Sequence, residues 1–81
     1  IIKKDKWPLE GDLEKTYSLL KSHFKGAQID EQDGIRFDWE DKSWIHLRPS
    51  NTEPIIRLFG EAKTQERIDY LFEEAKKIIT S

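Results

Sequence analysis

Two stretches of helical period bracket a run of strand-like alternation. Leu13, Tyr17, Leu20 and Phe24 recur on one helical face, while Glu14, Lys15, Lys21 and Lys25 fall elsewhere. Asp12 stands where an N-cap belongs, and Gly26 stands where a helix C-terminal glycine belongs. At the other end of the chain, Ile68, Leu71, Phe72, Ala75, Ile78 and Ile79 form a second apolar stripe. Thr64 is its expected cap, and Glu66 is favourably charged in the first turn. Between the helices, "AQIDEQDGIRFDWEDKSWIHL" changes to period two. Asp33-Gly34 marks a tight turn between two β-like runs. Ile35, Phe37 and Trp39 alternate with Arg36 and Asp38, "EDKS" makes the next turn, and Ile45 and Leu47 alternate with Trp44, His46 and Arg48. A polar loop follows, and then Ile56 and Leu58 alternate with Ile55, Arg57 and Phe59.

The predicted order is helix, four short strands, helix. Short connections favour antiparallel pairing, and two amphipathic helices need one sheet face to cover. The expected fold is a two-layer α+β domain, a four-stranded antiparallel sheet with both helices on one face. Residues 1–11 contain a short basic run that suits a linker or a terminal strand, followed by the breakers Pro8 and Gly11. They are assigned as a connector from a preceding domain, with the domain itself at 12–81. Strand parity has a chemical consequence. If Ile45, Leu47, Ile56 and Leu58 face the helices, Arg48 and Arg57 both point to the uncovered face and flank the same loop.

Composition narrows the range of functions. The 81 residues are 36% hydrophobic and 37% charged, enough for one small core, with a net charge of −2 spread as mixed signs. That balance argues against nonspecific affinity for nucleic acid or anionic membrane. No cysteine is present, which excludes disulfides and thiolate metal sites and is compatible with the cytoplasm. No apolar run is long enough to span a bilayer, and no signal peptide is visible. The chain has no methionine and begins "IIKK", as expected of a piece of a longer protein.

The loop in "HLRPSNTEPIIRLF" concentrates anion-binding chemistry. Arg48 and Arg57 carry planar forks suited to phosphate or carboxylate oxygens. Ser50 and Thr52 bring hydroxyls, Asn51 an amide, and consecutive backbone N–H groups in such a turn can form an anion nest. Pro49 and Pro54 restrict the loop, and Glu53 is expected to point away from an anion. From spacing alone, a solvated connection with two surface arginines competes with a phosphate site. A noncatalytic module that uses the open sheet face for protein or RNA is a further reading. His23 and His46 are isolated, without metal-ligand spacing, and are expected to serve surface or packing roles. Trp39, Trp44 and Phe37 are expected to build core, although parity places Trp44 and Phe59 on the uncovered face, against a neighbouring domain. The acids from Asp30 to Asp41 read as turn and solvent-face charges, since their spacing matches no calcium loop.

"LRPSNTEPIIRLFGEA" closely resembles the phosphate-binding loop in the C-terminal domain of α-D-phosphohexomutases, whose members include phosphomannomutase/phosphoglucomutase, phosphoglucosamine mutase and phosphoacetylglucosamine mutase. The family pattern Arg-x-Ser-Gly/Asn-Thr, commonly followed by Glu-Pro, is met by Arg48, Ser50, Asn51, Thr52, Glu53 and Pro54. The flanking text extends the resemblance from about Leu13 to the end of the chain. It implies a TATA-binding-protein-like fold and a four-domain parent that moves a phosphoryl group between the 1- and 6-positions of a hexose through an active-site phosphoserine. The implied cofactors are Mg2+ bound by another domain and a hexose 1,6-bisphosphate that acts as activator and intermediate. By the same resemblance, Arg48, Ser50, Asn51 and Thr52 grip the substrate's nonreacting phosphate, with Arg57 a weaker addition. No catalytic residue and no metal ligand is expected in this chain. Its partners would be the hexose phosphate and the other three domains, and alone it would be inactive. Asn51, where many glucosamine-type members carry Gly, favours phosphomannomutase/phosphoglucomutase.

Overall fold

A computed structural model describes residues 1–9 and 11–80. Its elements are β1 (Ile2–Pro8), α1 (Leu13–His23), β2 (Gln28–Asp30), β3 (Ile35–Asp38), β4 (Trp44–Pro49), β5 (Ile55–Glu61) and α2 (Gln65–Ile79). The strands form one antiparallel sheet in the order β1-β5-β4-β3-β2. Strands β2 to β5 run as a meander, and β1 adds to the free edge of β5. The fold is therefore α+β as expected, but the sheet has five strands rather than four, because the segment assigned as a connector forms β1.

The physical reason for that miss lies in β1 itself, IKKDKWP. Edge strands carry lysines and tolerate proline because one side of their backbone faces solvent. Here those substitutions erase the apolar alternation that marks inner strands. The alternation survives in disguise. Lys3 and Trp7 turn to the helix side, where Lys3 Nζ bonds Asp69 of α2 at 2.8 Å and Trp7 packs on the core.

Caps fix the helix ends. Asp12 accepts a hydrogen bond from the Glu14 N–H, and Thr64 accepts one from the Arg67 N–H. One continuous core joins Leu20 of α1 and Phe24 at its C-cap, Ile68, Leu71, Phe72, Ala75 and Ile79 of α2, and alternate residues of β3, β4 and β5. Ile35, Phe37, Ile45, Leu47, Ile56 and Leu58 are all fully buried. Burying each such side chain contributes about 1.5–3 kcal/mol before entropy is counted. Gly60 lets α2 approach β5, since a Cβ there would lie 2.8 Å from the Phe72 ring and 3.0 Å from Ile68. Trp39 falls just beyond β3 yet still packs on the core. Its ring lies 18° from parallel with Phe37, and its Nε1 donates to the Lys25 carbonyl at 3.1 Å. Among the described residues, no helix is long and apolar enough to cross a membrane.

Candidate functional site on the open sheet face

Pro49 ends β4, Ile55 begins β5, and the loop between them closes on its own backbone. Ser50 N–H donates to the Ile55 carbonyl at 3.0 Å, and Ile55 N–H donates to the Glu53 carbonyl at 2.8 Å. The Leu9 N–H, just after β1, holds the Pro54 carbonyl at 2.8 Å. Two consecutive backbone N–H groups, those of Thr52 and Glu53, converge on Ser50 Oγ, each at 3.3 Å. The expected nest is thus present in geometry, but the serine oxygen fills it. Bonds of this length are at the weak end of the range and readily exchanged for a charged acceptor. Ser50 Oγ also lies 3.4 Å from Thr52 Oγ1. Asn51, Thr52 and Glu53 are exposed.

Arg48 and Arg57 sit directly opposite one another across β4 and β5. Both are exposed, on the face away from the helices, as parity predicts. Like charges so placed weaken a sheet by a few tenths of a kcal/mol up to about 1. The arginines of this face differ in how far they are neutralised. Arg36 binds Asp38 through two bonds of 2.9 and 3.0 Å, and that hydrogen bonding raises its already high pKa. Arg48 has one contact, from Nη2 to Asp33 Oδ2 at 3.1 Å. Arg57 has no acidic partner among the described residues. A depression of about 290 Å³ opens here, lined by Arg48, Pro49, Ser50, Asn51, Thr52, Arg57 and Phe59. All five residues singled out from the sequence meet at this one place.

Asp33 is the neighbour that sequence reasoning missed. Gly34 brings it in. At φ +67° a Cβ on Gly34 would stand 2.0 Å from the Leu47 carbonyl oxygen, so only glycine lets the β2–β3 turn lie against β4. His46 secures the same turn by donating from Nε2 to the Asp33 carbonyl at 2.6 Å, which is a packing role. The Asp-Gly turn was a visible signal, but its contact with Arg48 needs the β3–β4 register. Trp44 and Phe59 do lie on the open face, half-buried. Trp44 is already satisfied, with Arg36 stacked 4.3 Å from its ring and Nε1 bonded to Glu61 at 3.2 Å. His23 bonds Glu74 of α2 at 2.9 Å, far from the loop in sequence and on the opposite layer. Among the described residues no group of three or more His, Asp or Glu side chains is arranged to hold a metal ion.

Fold and site together define a two-layer α+β domain whose open sheet face presents a corner of cations and hydroxyls. Residues 9–78 match the C-terminal domain of the phosphoglucomutase/phosphomannomutase family, and the chain belongs to that family. It is 37% identical over 65 residues to a probable phosphoglucosamine mutase from Methanothermobacter thermautotrophicus, covering 79% of this chain and 14% of that protein. It is 42% identical over 60 residues to a phosphomannomutase from Methanocaldococcus jannaschii, covering 74% and 13% respectively. A phosphoglucomutase/phosphomannomutase from Thermococcus kodakarensis matches at 36% over 78 residues, covering 94% of this chain and 17% of the relative. The chain thus spans about one-seventh of the length of the curated relatives it matches.

Proposed function

We propose that this chain is the substrate-phosphate-binding domain of a phosphohexomutase that interconverts hexose 1-phosphate and hexose 6-phosphate in the cytoplasm. The observation that carries the reading is the convergence of Arg48, Ser50, Asn51, Thr52 and Arg57 around one depression, with two loop N–H groups aimed at a single oxygen. A phosphate oxygen arriving at that point would replace Ser50 Oγ as acceptor and free the serine hydroxyl to donate. Arg48 would exchange its single contact with Asp33 for the ligand. The chemistry itself, a phosphoserine and a bound Mg2+, would belong to the other three domains, and a hexose 1,6-bisphosphate would be the reaction intermediate. This domain would hold the phosphate that does not react. That remote binding energy places the reacting hydroxyl at the phosphoserine in either orientation of the sugar.

The names of the relatives include phosphomannomutase, phosphoglucomutase/phosphomannomutase, phosphoglucosamine mutase and phosphopentomutase. Asn51 favours phosphomannomutase/phosphoglucomutase, with phosphoglucosamine mutase as the alternative. In the full-length enzyme, Arg48→Ala should raise KM for hexose phosphate and lower kcat/KM by about 1.5–3 kcal/mol, the range for a charge-assisted hydrogen bond. Arg48→Lys should restore part of it, because an ammonium cannot copy the planar fork. Steady-state kinetics unchanged by Arg48→Ala would return the loop to the status of a solvated connection.

A further inference from the structure

Strand β1 gives the open face a second hollow. A depression of about 550 Å³ lies over β1 and β5, lined by Lys4, Asp5, Lys6, Arg57 and Phe59. It adjoins the loop depression and shares Arg57 and Phe59 with it. The register explains the lining. Lys6 stands opposite Arg57, and Lys4 stands opposite Phe59, one row further from the loop. The rows are roughly 7 Å apart at the usual strand rise. Little of this lining is engaged. Phe59 is half-buried, and among the described residues no ring or cation stacks on it, whereas Arg36 covers Trp44. Lys4 and Lys6 form no ion pair among the described residues. Asp5 uses Oδ1 to accept the Lys6 backbone N–H at 2.8 Å.

We propose that this hollow is a sugar-ring subsite, in which the hexose of a monophosphorylated substrate lies over Phe59 while its one phosphate occupies the Arg48 loop. The proposal deepens the reading of the loop as a phosphate grip and rests on that reading. The chemistry of the lining suits a neutral polyol better than an anion. Its floor is an aromatic ring, which takes the C–H face of a sugar. Its rim carries donors on Lys4 and Lys6 and an acceptor on Asp5, the mixture that hydroxyl groups need. The Asp5 carboxylate would repel an anion at the same place. A single row separates the grip from the floor, a step that a phosphate ester linkage spans, with Arg57 lining both hollows. The hydroxyl at the far end of the ring stays free to react in another domain. An apolar floor and two flexible lysines also accept either face of the ring, where rigidly placed donors would select one.

Backbone amide shifts of the 81-residue chain test this, with inorganic phosphate, a hexose 6-phosphate and the matching hexose 1-phosphate as probes. Phosphate should shift residues 48–52. Both hexose phosphates should shift those residues together with 4–6 and 57–59. Their dissociation constants should lie on the order of three- to ten-fold below that of phosphate, the gain from one ring contact. Phe59→Ala should keep a dispersed spectrum and the phosphate response, and should bind the hexose phosphates no better than phosphate. The double variant Lys4→Ala, Lys6→Ala changes only exposed side chains and should lose part of the hexose advantage. It decides the matter if Phe59→Ala unfolds. Equal affinity for phosphate and hexose phosphate in the wild-type chain overturns the ring subsite. So does a hexose advantage kept in full by folded Phe59→Ala or by the lysine double variant, or one shown by only one of the two isomers. In each of these cases the response at 48–52 survives and the loop reading stands. Silence at 48–52 with every probe overturns the loop reading, and the ring subsite falls with it.

Discussion

On the helix-covered side of the sheet, Ile45, Leu47, Ile56 and Leu58 have no exposed surface. One residue away along the same two strands, the other side carries His46, Arg48, Arg57 and Phe59, all exposed or half-buried. The covered side satisfies itself, because every apolar group meets another and the helices complete the layer. The open side does not, since its cations stand opposite one another and, among the described residues, Arg57 has no acidic partner. Stability is thus concentrated on one face and unspent binding capacity on the other, with a single pleat separating them. Changes on the covered face should act on folding, and changes on the open face should act on binding.

The largest break in that division is expected from Leu58→Ala. Removing a fully buried leucine costs about 2–5 kcal/mol, and a domain of this size commands only about 3–5 kcal/mol in all. The denaturant midpoint should collapse, with phosphate binding lost only through unfolding. A fully folded Leu58→Ala chain would show that the covered face is not the source of stability. Gly34→Ala tests the hinge between the faces. A Cβ there meets the Leu47 carbonyl at 2.0 Å with φ at +67°, so the β2–β3 turn must retreat, at about 1–3 kcal/mol. Melting should fall, and the Asp33 contact to Arg48 should be lost with it. Asp33→Asn isolates that contact. The pair is exposed, so stability should change by no more than about 1 kcal/mol. Phosphate should bind more tightly, since a competing carboxylate is removed from Arg48. Weaker binding in Asp33→Asn would mean that Asp33 positions the guanidinium instead of competing for it.

Acid should act on the covered side and its turns. Asp41 is held below the usual carboxylate range by the Ser43 hydroxyl, then by the Ser43 N–H, with Arg67 adding to it. Lys3 and then Gln65 lower Asp69, and Lys77 and then His23 lower Glu74. Because the folded values lie below the unfolded ones, this stabilisation is complete above the unfolded carboxylate pKa. It is lost as pH falls through the folded values. The Asp41 and Asp69 side chains keep about half their surface in water, so their part of the loss should be small, and Glu74, at 16%, is the more sheltered of the three. Unfolding curves taken through the acid range should show it, and Ser43→Ala should flatten the acid limb. An unaltered limb in that variant would remove Asp41 from the account.

What the sequence reveals follows the same division. Helices α1 and α2 and strands β3, β4 and β5 are legible because their apolar residues must meet a partner at a fixed period. The shared face of Arg48 and Arg57 follows from that period alone. Strand β1 is hidden because an edge strand buries little. Lys3 reaches the helix layer as an ion pair with Asp69, where an inner strand would place an apolar side chain. The approach of Asp33 to Arg48 is hidden because it depends on register between strands. The use of Ser50 Oγ as an acceptor inside its own loop depends on dihedrals that composition does not encode.

A phosphate titration of the 81-residue chain, followed at every backbone amide, tests the division between the faces most directly. The expected result is a saturable response whose largest shifts fall at residues 48–52, with α1 and α2 unaffected, and which Arg48→Ala abolishes while its denaturant midpoint stays at or slightly above the wild-type value. Largest shifts in α1 or α2, or an Arg48→Ala chain that unfolds more easily yet binds phosphate as before, would contradict the account.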